Sequence, residues 1–224
     1  MIPWKHVDVS MIPDGGELRL MQRGAEFSIR LGGTELMNSR LSGSEEALAT
    51  ITRERIGERK RPHILIGGLG MGFTLRAALT SFAQDAEIVV AELVPAVVAW
   101  ARGPMAAIFG ACLDDPRVSI EEGDVGKAIR SGRRFDAILL DVDNGPEGLT
   151  RRSNDHLYDL DGLAALAPNG VLAMWSQGPD PKFTQRLLKT GFTVDEVRVR
   201  ANKGRSGARH TIWFASNRRA AGPR

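Results

Sequence analysis

Three acidic residues stand at the ends of three short apolar runs: Glu92 closes EIVVAE, Asp124 follows RVSIEEG, and Asp141 follows FDAILL. A further apolar run, HILI, passes straight into the glycines Gly68, Gly70 and Gly72. Glycines at such a place let the chain turn tightly and let a ligand approach bare backbone, while the helix that follows offers unpaired N–H groups. The spacing is G-x-G-x-G; a dinucleotide loop sets its third glycine one residue later, where Phe73 stands here. Glu92 lies twenty residues past Gly72, a position from which a carboxylate accepts hydrogen bonds from both hydroxyls of a ribose. Asp124 can take an adenine amino group, and Asp141 opens the segment DVDNGP, which also contains Asp143 and Asn144. Three carboxylates at successive strand ends suit a cationic sulfonium nucleoside better than an anionic pyrophosphate.

To converge, these residues need a sheet whose strands all end on one side. After Pro62, apolar runs of strand length alternate with helical segments: HILI and FTLRAALTSFA, EIVVA and PAVVAWAR with MAAIFGACL, RVSI and VGKAIR, FDAILL and DHLYDLDGLAAL, GVLAMW and PKFTQRLLKT. Continuous apolar strands separated by helices predict a parallel sheet covered on both faces. The last two runs, FTVDEVRVR and HTIWFAS, are joined by ANKGRSGAR with no helix between them, which predicts an antiparallel hairpin at the sheet edge. The expected fold is therefore α/β, a Rossmann-like, seven-stranded sheet of the class I methyltransferase type, over residues 62–216. Ahead of it, ELRLMQ and AEFSIRL between glycine turns predict a small β region over residues 1–42. Residues 43–61 read as a linking helix with a Ser42/Glu45 capping box, and 217–224 as a basic tail.

Composition narrows the function classes. The 224 residues carry a net charge of +3, with the basic excess in Arg53 to Arg61 and in the segment after Glu196, and both read as solvated faces. The single cysteine, Cys112, excludes an intramolecular disulfide. No secretory pattern opens the chain and no apolar run approaches the ~18 residues of a membrane span, so a cytoplasmic protein with no membrane partner is expected. The four histidines lack metal-ligand spacing, and no metal is expected. DVDNGP is not the proline-rich turn that grips a flipped base, which disfavours nucleic acid as a partner. Trp175 and Gln177, at a strand end, are candidates for an acceptor pocket.

The chain resembles the spermidine synthase family, aminopropyltransferases on a methyltransferase-type fold. The pieces that carry the resemblance are GGLGMGFTLRAAL, VVAELVPAVV, LDDPRVSIEEGD, FDAILLDVDNGP and HLYDLDGLAALAPNGVLAMWSQ, in family order over roughly residues 62–215. It implies that Gly68 and Gly70 approach the methionine-derived part of an S-adenosyl donor. It also implies that Glu92 holds the ribose, Asp124 with nearby Val125 the adenine, and Asp141 the donor's aminopropyl or amino group. A small amine acceptor and a homodimer follow from the same resemblance. The family's catalytic loop reads Asp-Ser-Ser/Thr-Asp-Pro, and its second Asp takes the proton of the attacking amine; here Asn144 holds that place, with Asp143 one residue earlier. An alkyl amine of pKa ~10 has no lone pair at neutral pH until it is deprotonated. In the region of the family's polyamine tunnel this chain reads LMNSRLSGSEEALAT, where Glu45 and Glu46 are the only candidate amine ligands. Two alternatives stay open: a methyltransferase using intact S-adenosylmethionine, whose carboxylate Arg76 or Arg40 would meet, and a non-catalytic nucleoside-binding protein.

Overall fold

The computed structural model describes residues 2–13, 15–142, 165–202 and 207–216. The first four strands, β1 (Lys5–Met11), β2 (Glu17–Arg23), β3 (Glu26–Leu31) and β4 (Thr34–Asn38), form an antiparallel meander in sequence order. Its alternation is that of a half-buried sheet: Leu18, Leu20, Phe27 and Ile29 are buried, while β1 at the edge is largely exposed. Helix α1 (Gly43–Ile56) then leads to the main sheet.

That sheet contains β5 (His63–Gly67), β6 (Glu87–Glu92), β7 (Val118–Glu122), β8 (Phe135–Leu140), β9 (Leu166–Ser176), β10 (Thr193–Arg200) and β11 (Arg209–Ser216). Their spatial order is β10-β11-β9-β8-β5-β6-β7. β5, β6, β7, β8 and β9 run parallel, and β11 lies antiparallel between β9 and β10. The chain moves outward from β5 through β6 to β7, then returns to β8 on the other side of β5. Strand order therefore reverses between β5 and β8, the place where an open α/β sheet forms a ligand crevice at its carboxyl edge.

Both faces are covered. Ile64 and Ile66 of β5, with Ala137 and Leu139 of β8, point to the face packed by α1, α2 (Phe73–Ser81) and α3 (Pro95–Arg102). Leu65, Ile138 and Leu140 point to the opposite face, where α5 (Val125–Ile129) and α6 (Pro181–Lys189) pack; the short α4 spans Ala106–Phe109. This explains the continuous apolar runs: successive residues of a strand enter two different cores. Each fully buried Leu or Ile contributes roughly 1.5–3 kcal/mol relative to exposure. The N-terminal sheet joins the first of these cores through Leu18, Leu20, Phe27 and Ile29, and Trp100 Nε1 donates to Asp8 Oδ2 at 2.6 Å.

Three local expectations change. The Ser42/Glu45 capping box does not form: Ser42 Oγ donates to Glu46 Oε1 at 2.9 Å, because Glu45 is turned inward, where Ser44 Oγ donates to its Oε2 at 2.6 Å. The helix expected over MAAIFGACL is only α4 followed by a 3-10 turn, Cys112–Asp114, since Gly110 at φ 58 ends it. The helix expected over DHLYDLDGLAAL falls mostly outside the described residues, but Leu166 already belongs to β9.

Candidate functional site

A cleft lies at the carboxyl edge around the crossover, where an open α/β sheet takes its ligand; its empty space, about 870 Å³, includes open solvent. Gly68, Gly70, Glu92, Asp124, Val125 and Asp141 all line it. Its opposite wall is apolar and comes from the N-terminal sheet and its turns: Ile12, Leu18, Ile29, Leu36 and Met37. The described lining residues include three carboxylates and no lysine or arginine.

The glycine loop fits its place closely. Gly68, at φ 89, crosses so near β8 that a Cβ would collide with the carbonyl oxygen of Asp141, so only glycine fits the crossover. At Gly70, φ 50, a Cβ would meet Met37 Sδ at 3.0 Å. Gly72 does not line the cleft; it begins α2 and packs against Phe109, so its part is to shape the loop.

Glu92 is 7% exposed at the end of β6. Leu69 N–H donates to its Oε2 and Val94 N–H to its Oε1, both at 2.8 Å, so one carboxylate ties the β5 loop to the β6 loop. Burial outweighs these donors and holds its pKa above the ordinary carboxylate value. The backbone N–H groups of Gly70 and Leu93 also favour its ionised form, so a vicinal diol here shares the carboxylate oxygens with the loop. Asp124 caps α5, its Oδ1 accepting from Gly126 N at 2.6 Å, and this sets the carboxyl at the cleft wall beside Val125.

Asp141 ends β8, its N–H donating to Gly67 O at 2.9 Å. Thr74 Oγ1, in the first turn of α2, donates to Asp141 Oδ2 at 3.0 Å and lies 3.4 Å from the Glu45 carbonyl oxygen. Burial, then the charge of Glu45, pushes the Asp141 pKa up to about 7. Glu45 is raised by burial as well. Two carboxylates that cannot both ionise cheaply are a seat for a cation, and the first proton they take is held near neutral pH.

Behind Glu45 lies a polar chain. Fully buried Ser44 contacts both Glu45 Oε2 and, at 2.8 Å, His210 Nδ1 on β11. His210 stacks edge-on against Trp175 with ring centroids 4.8 Å apart. Trp175 Nε1 is buried with no hydrogen-bond partner among the described residues. Glu45 and Trp175 are thus brought together through His210, whereas Gln177 is exposed beyond the end of β9. Asp143 and Asn144 lie outside the described residues. Arg76 donates to Ile108 O at 2.6 Å and Arg40 pairs with Glu35; neither lines the cleft. Sequence reasoning missed Ser44, Thr74 and the role of His210. Thr74 had a signal, its position just past the glycine loop. His210 had none, being 166 residues from Ser44.

Among the described residues, no group of three His, Cys, Asp or Glu is placed to hold a metal ion, and no helix is long and apolar enough to cross a membrane.

No family model matches the chain, and no curated protein is similar to it in sequence. Solved structures do match. Spermidine synthase from Thermotoga maritima aligns with a TM-score of 0.74 and 19% identity, over 96% of this chain and 73% of that one. A spermidine synthase in complex with the transition-state analogue AdoDATO aligns with a TM-score of 0.76 and 20% identity, over 96% and 74%. The methyltransferase-like sheet, with its small antiparallel N-terminal sheet, is therefore the fold that this chain shares with spermidine synthases.

Proposed function

We propose that the chain transfers an aminopropyl group from decarboxylated S-adenosylmethionine to a small amine. The observation that carries this reading is the charge of the cleft: Glu92, Asp124 and Asp141 line it, with no cation among the described lining residues. A donor that has lost its carboxylate brings a sulfonium and an ammonium and no negative charge. The intact donor would add a carboxylate to a wall that already holds three.

The residues support each part of such a donor. Glu92 offers its carboxylate oxygens to the ribose hydroxyls, Asp124 and Val125 meet the adenine edge, and the bare backbone of Gly68 and Gly70 leaves room for the chain on sulfur. Bound, the donor supplies an electrophilic methylene with a neutral thioether as leaving group. Asp141, near neutral in pKa, is matched to receive the proton of an amine at pH 7. With Asn144 in the place of the family's second Asp, Glu45 is the second carboxylate of the site.

The test is incubation with decarboxylated S-adenosylmethionine and 1,4-diaminobutane, following methylthioadenosine release and the aminopropylated product by mass spectrometry. Both should form in equal amounts. Formation of S-adenosylhomocysteine from the intact donor, with none of the aminopropylated product, would move the assignment to methyl transfer; no product from either donor would leave nucleoside binding alone.

A further inference from the structure

Transfer from a protonated amine to a sulfonium releases a proton. The amine nitrogen forms the new N–C bond with its lone pair, the C–S bond breaks, and that pair stays on sulfur as the thioether. One proton per turnover must leave a site walled by carboxylates. We propose that Ser44 and His210 form a proton relay for the carboxylate pair Glu45 and Asp141, carrying that proton from the cleft to solvent; the proposal rests on the amine-transfer reading of the site.

The geometry is that of a hydrogen-bonded wire. Ser44 Oγ is 2.6 Å from Glu45 Oε2 and 2.8 Å from His210 Nδ1. A hydroxyl carries one proton and can accept others, so Ser44 donates to one neighbour while accepting from the other. The proton that Asp141 takes from the amine is shared with Glu45, whose charge acts on the same titration; when it stands on Glu45 Oε2 it passes to Ser44 Oγ as the serine's own proton passes to His210 Nδ1. The imidazolium then gives its Nε2 proton to water. Rotation of the serine hydroxyl and a half-turn of the imidazole, which brings the protonated nitrogen to solvent and the bare one to Ser44, restore the chain, and the net change is one proton delivered to solvent.

The surroundings fit a relay. Thr74 fixes Asp141 and touches the Glu45 backbone, so the two carboxylates are held on adjoining elements. His210 is partly exposed at the far end, and burial lowers its pKa, so an imidazolium formed there sheds its proton readily. The edge contact with Trp175 fixes the ring plane. Among the described residues, the charged groups around the wire are few. Glu46 lies beside Glu45 on α1 and Asp141 faces it from β8. The cross-strand partner of His210 is the uncharged Val199, while Arg209 and Arg200 pair one position away, on the opposite face of a pleated strand. Ser44 and His210 act through Glu45 and are positioning residues.

Two readouts test this. In turnover, Ser44→Ala should lower kcat about tenfold with donor KM changed less than twofold, Ser44→Thr should restore it, and added imidazole should rescue His210→Ala. The acid limb of the kcat profile should also move in Ser44→Ala. Without turnover, the His210 imidazole followed by NMR should titrate at lower pH in Glu45→Gln than in the parent, by about half a pH unit. Unaltered kcat and pH profile in Ser44→Ala, or an unaltered His210 titration in Glu45→Gln, would overturn the relay. If the parent transfers no aminopropyl group yet His210 and Glu45 titrate together, the wire stands and the assigned reaction falls.

Discussion

Asp141→Asn separates the stability of this protein from its chemistry. The Asp141 carboxyl titrates near 7 in the folded chain against an ordinary 3.8. At about 1.4 kcal/mol per pH unit, that interval sets a ceiling of about 4 kcal/mol on the cost of the buried charge. The sign follows from proton binding. Between 3.8 and about 7 the folded state holds more protons than the unfolded one, so this group's contribution is fully present below 3.8 and is lost as pH rises through about 7. Asparagine keeps the shape and an oxygen for the Thr74 hydroxyl but has no charge to bury. The effect is shared with Glu45, and relaxation reduces it, so about 1–2 kcal/mol of stabilisation is expected at pH 8. For a chain of this size that is a rise in Tm of roughly 2–8 °C. The same variant should lose at least tenfold in kcat/KM, about 1.4 kcal/mol. The assay is thermal unfolding of both proteins at pH 5 and pH 8: the advantage of Asp141→Asn should be larger at pH 8. Equal melting at both pH values would refute the buried-charge reasoning, and unchanged kinetics would remove Asp141 from the site.

Other expectations follow from named contacts. Glu92→Gln replaces one of two oxygens with an NH2 that must face a backbone N–H, at Leu69 or Val94. It should cost about 2–3 kcal/mol of stability and abolish methylthioadenosine binding, as read by calorimetric titration. Gly68→Ala meets the Asp141 carbonyl and should destabilise by about 3 kcal/mol or more. Gly70→Ala, against the flexible Met37 side chain, should cost only about 1–2 kcal/mol but weaken the donor; denaturant unfolding of the pair tests the contrast. Arg59, at the opposite edge, pairs with Asp136 and donates to Asn169 O at 2.7 Å. Arg59→Ala should lower stability by about 2 kcal/mol and leave the donor Kd unchanged.

The order of strands and helices was legible because each strand enters two cores and so reads as a continuous apolar run. The cleft residues Glu92, Asp124 and Asp141 were legible for a related reason: they sit at strand ends, where the edge of a run marks their place. The cluster around Glu45 was not. Glu45 and Ser44 open a helix, where a capping box is the ordinary expectation, and nothing local shows that Glu45 turns inward to Asp141. His210 reaches Ser44 only because β11 folds back between β9 and β10, a long-range fact absent from any window of sequence. The N-terminal residues read as an appendage, yet Ile12, Leu36 and Met37 form a wall of the cleft, a contact set by packing between sheets.

A cleft lined by three carboxylates and, among its described lining residues, no lysine or arginine should favour a donor without a carboxylate. Calorimetric titration of decarboxylated and intact S-adenosylmethionine into the same protein, at pH 7.5 and low salt, tests it most directly. The decarboxylated form should bind at least tenfold more tightly; equal or tighter binding of the intact donor would overturn this reading of the cleft.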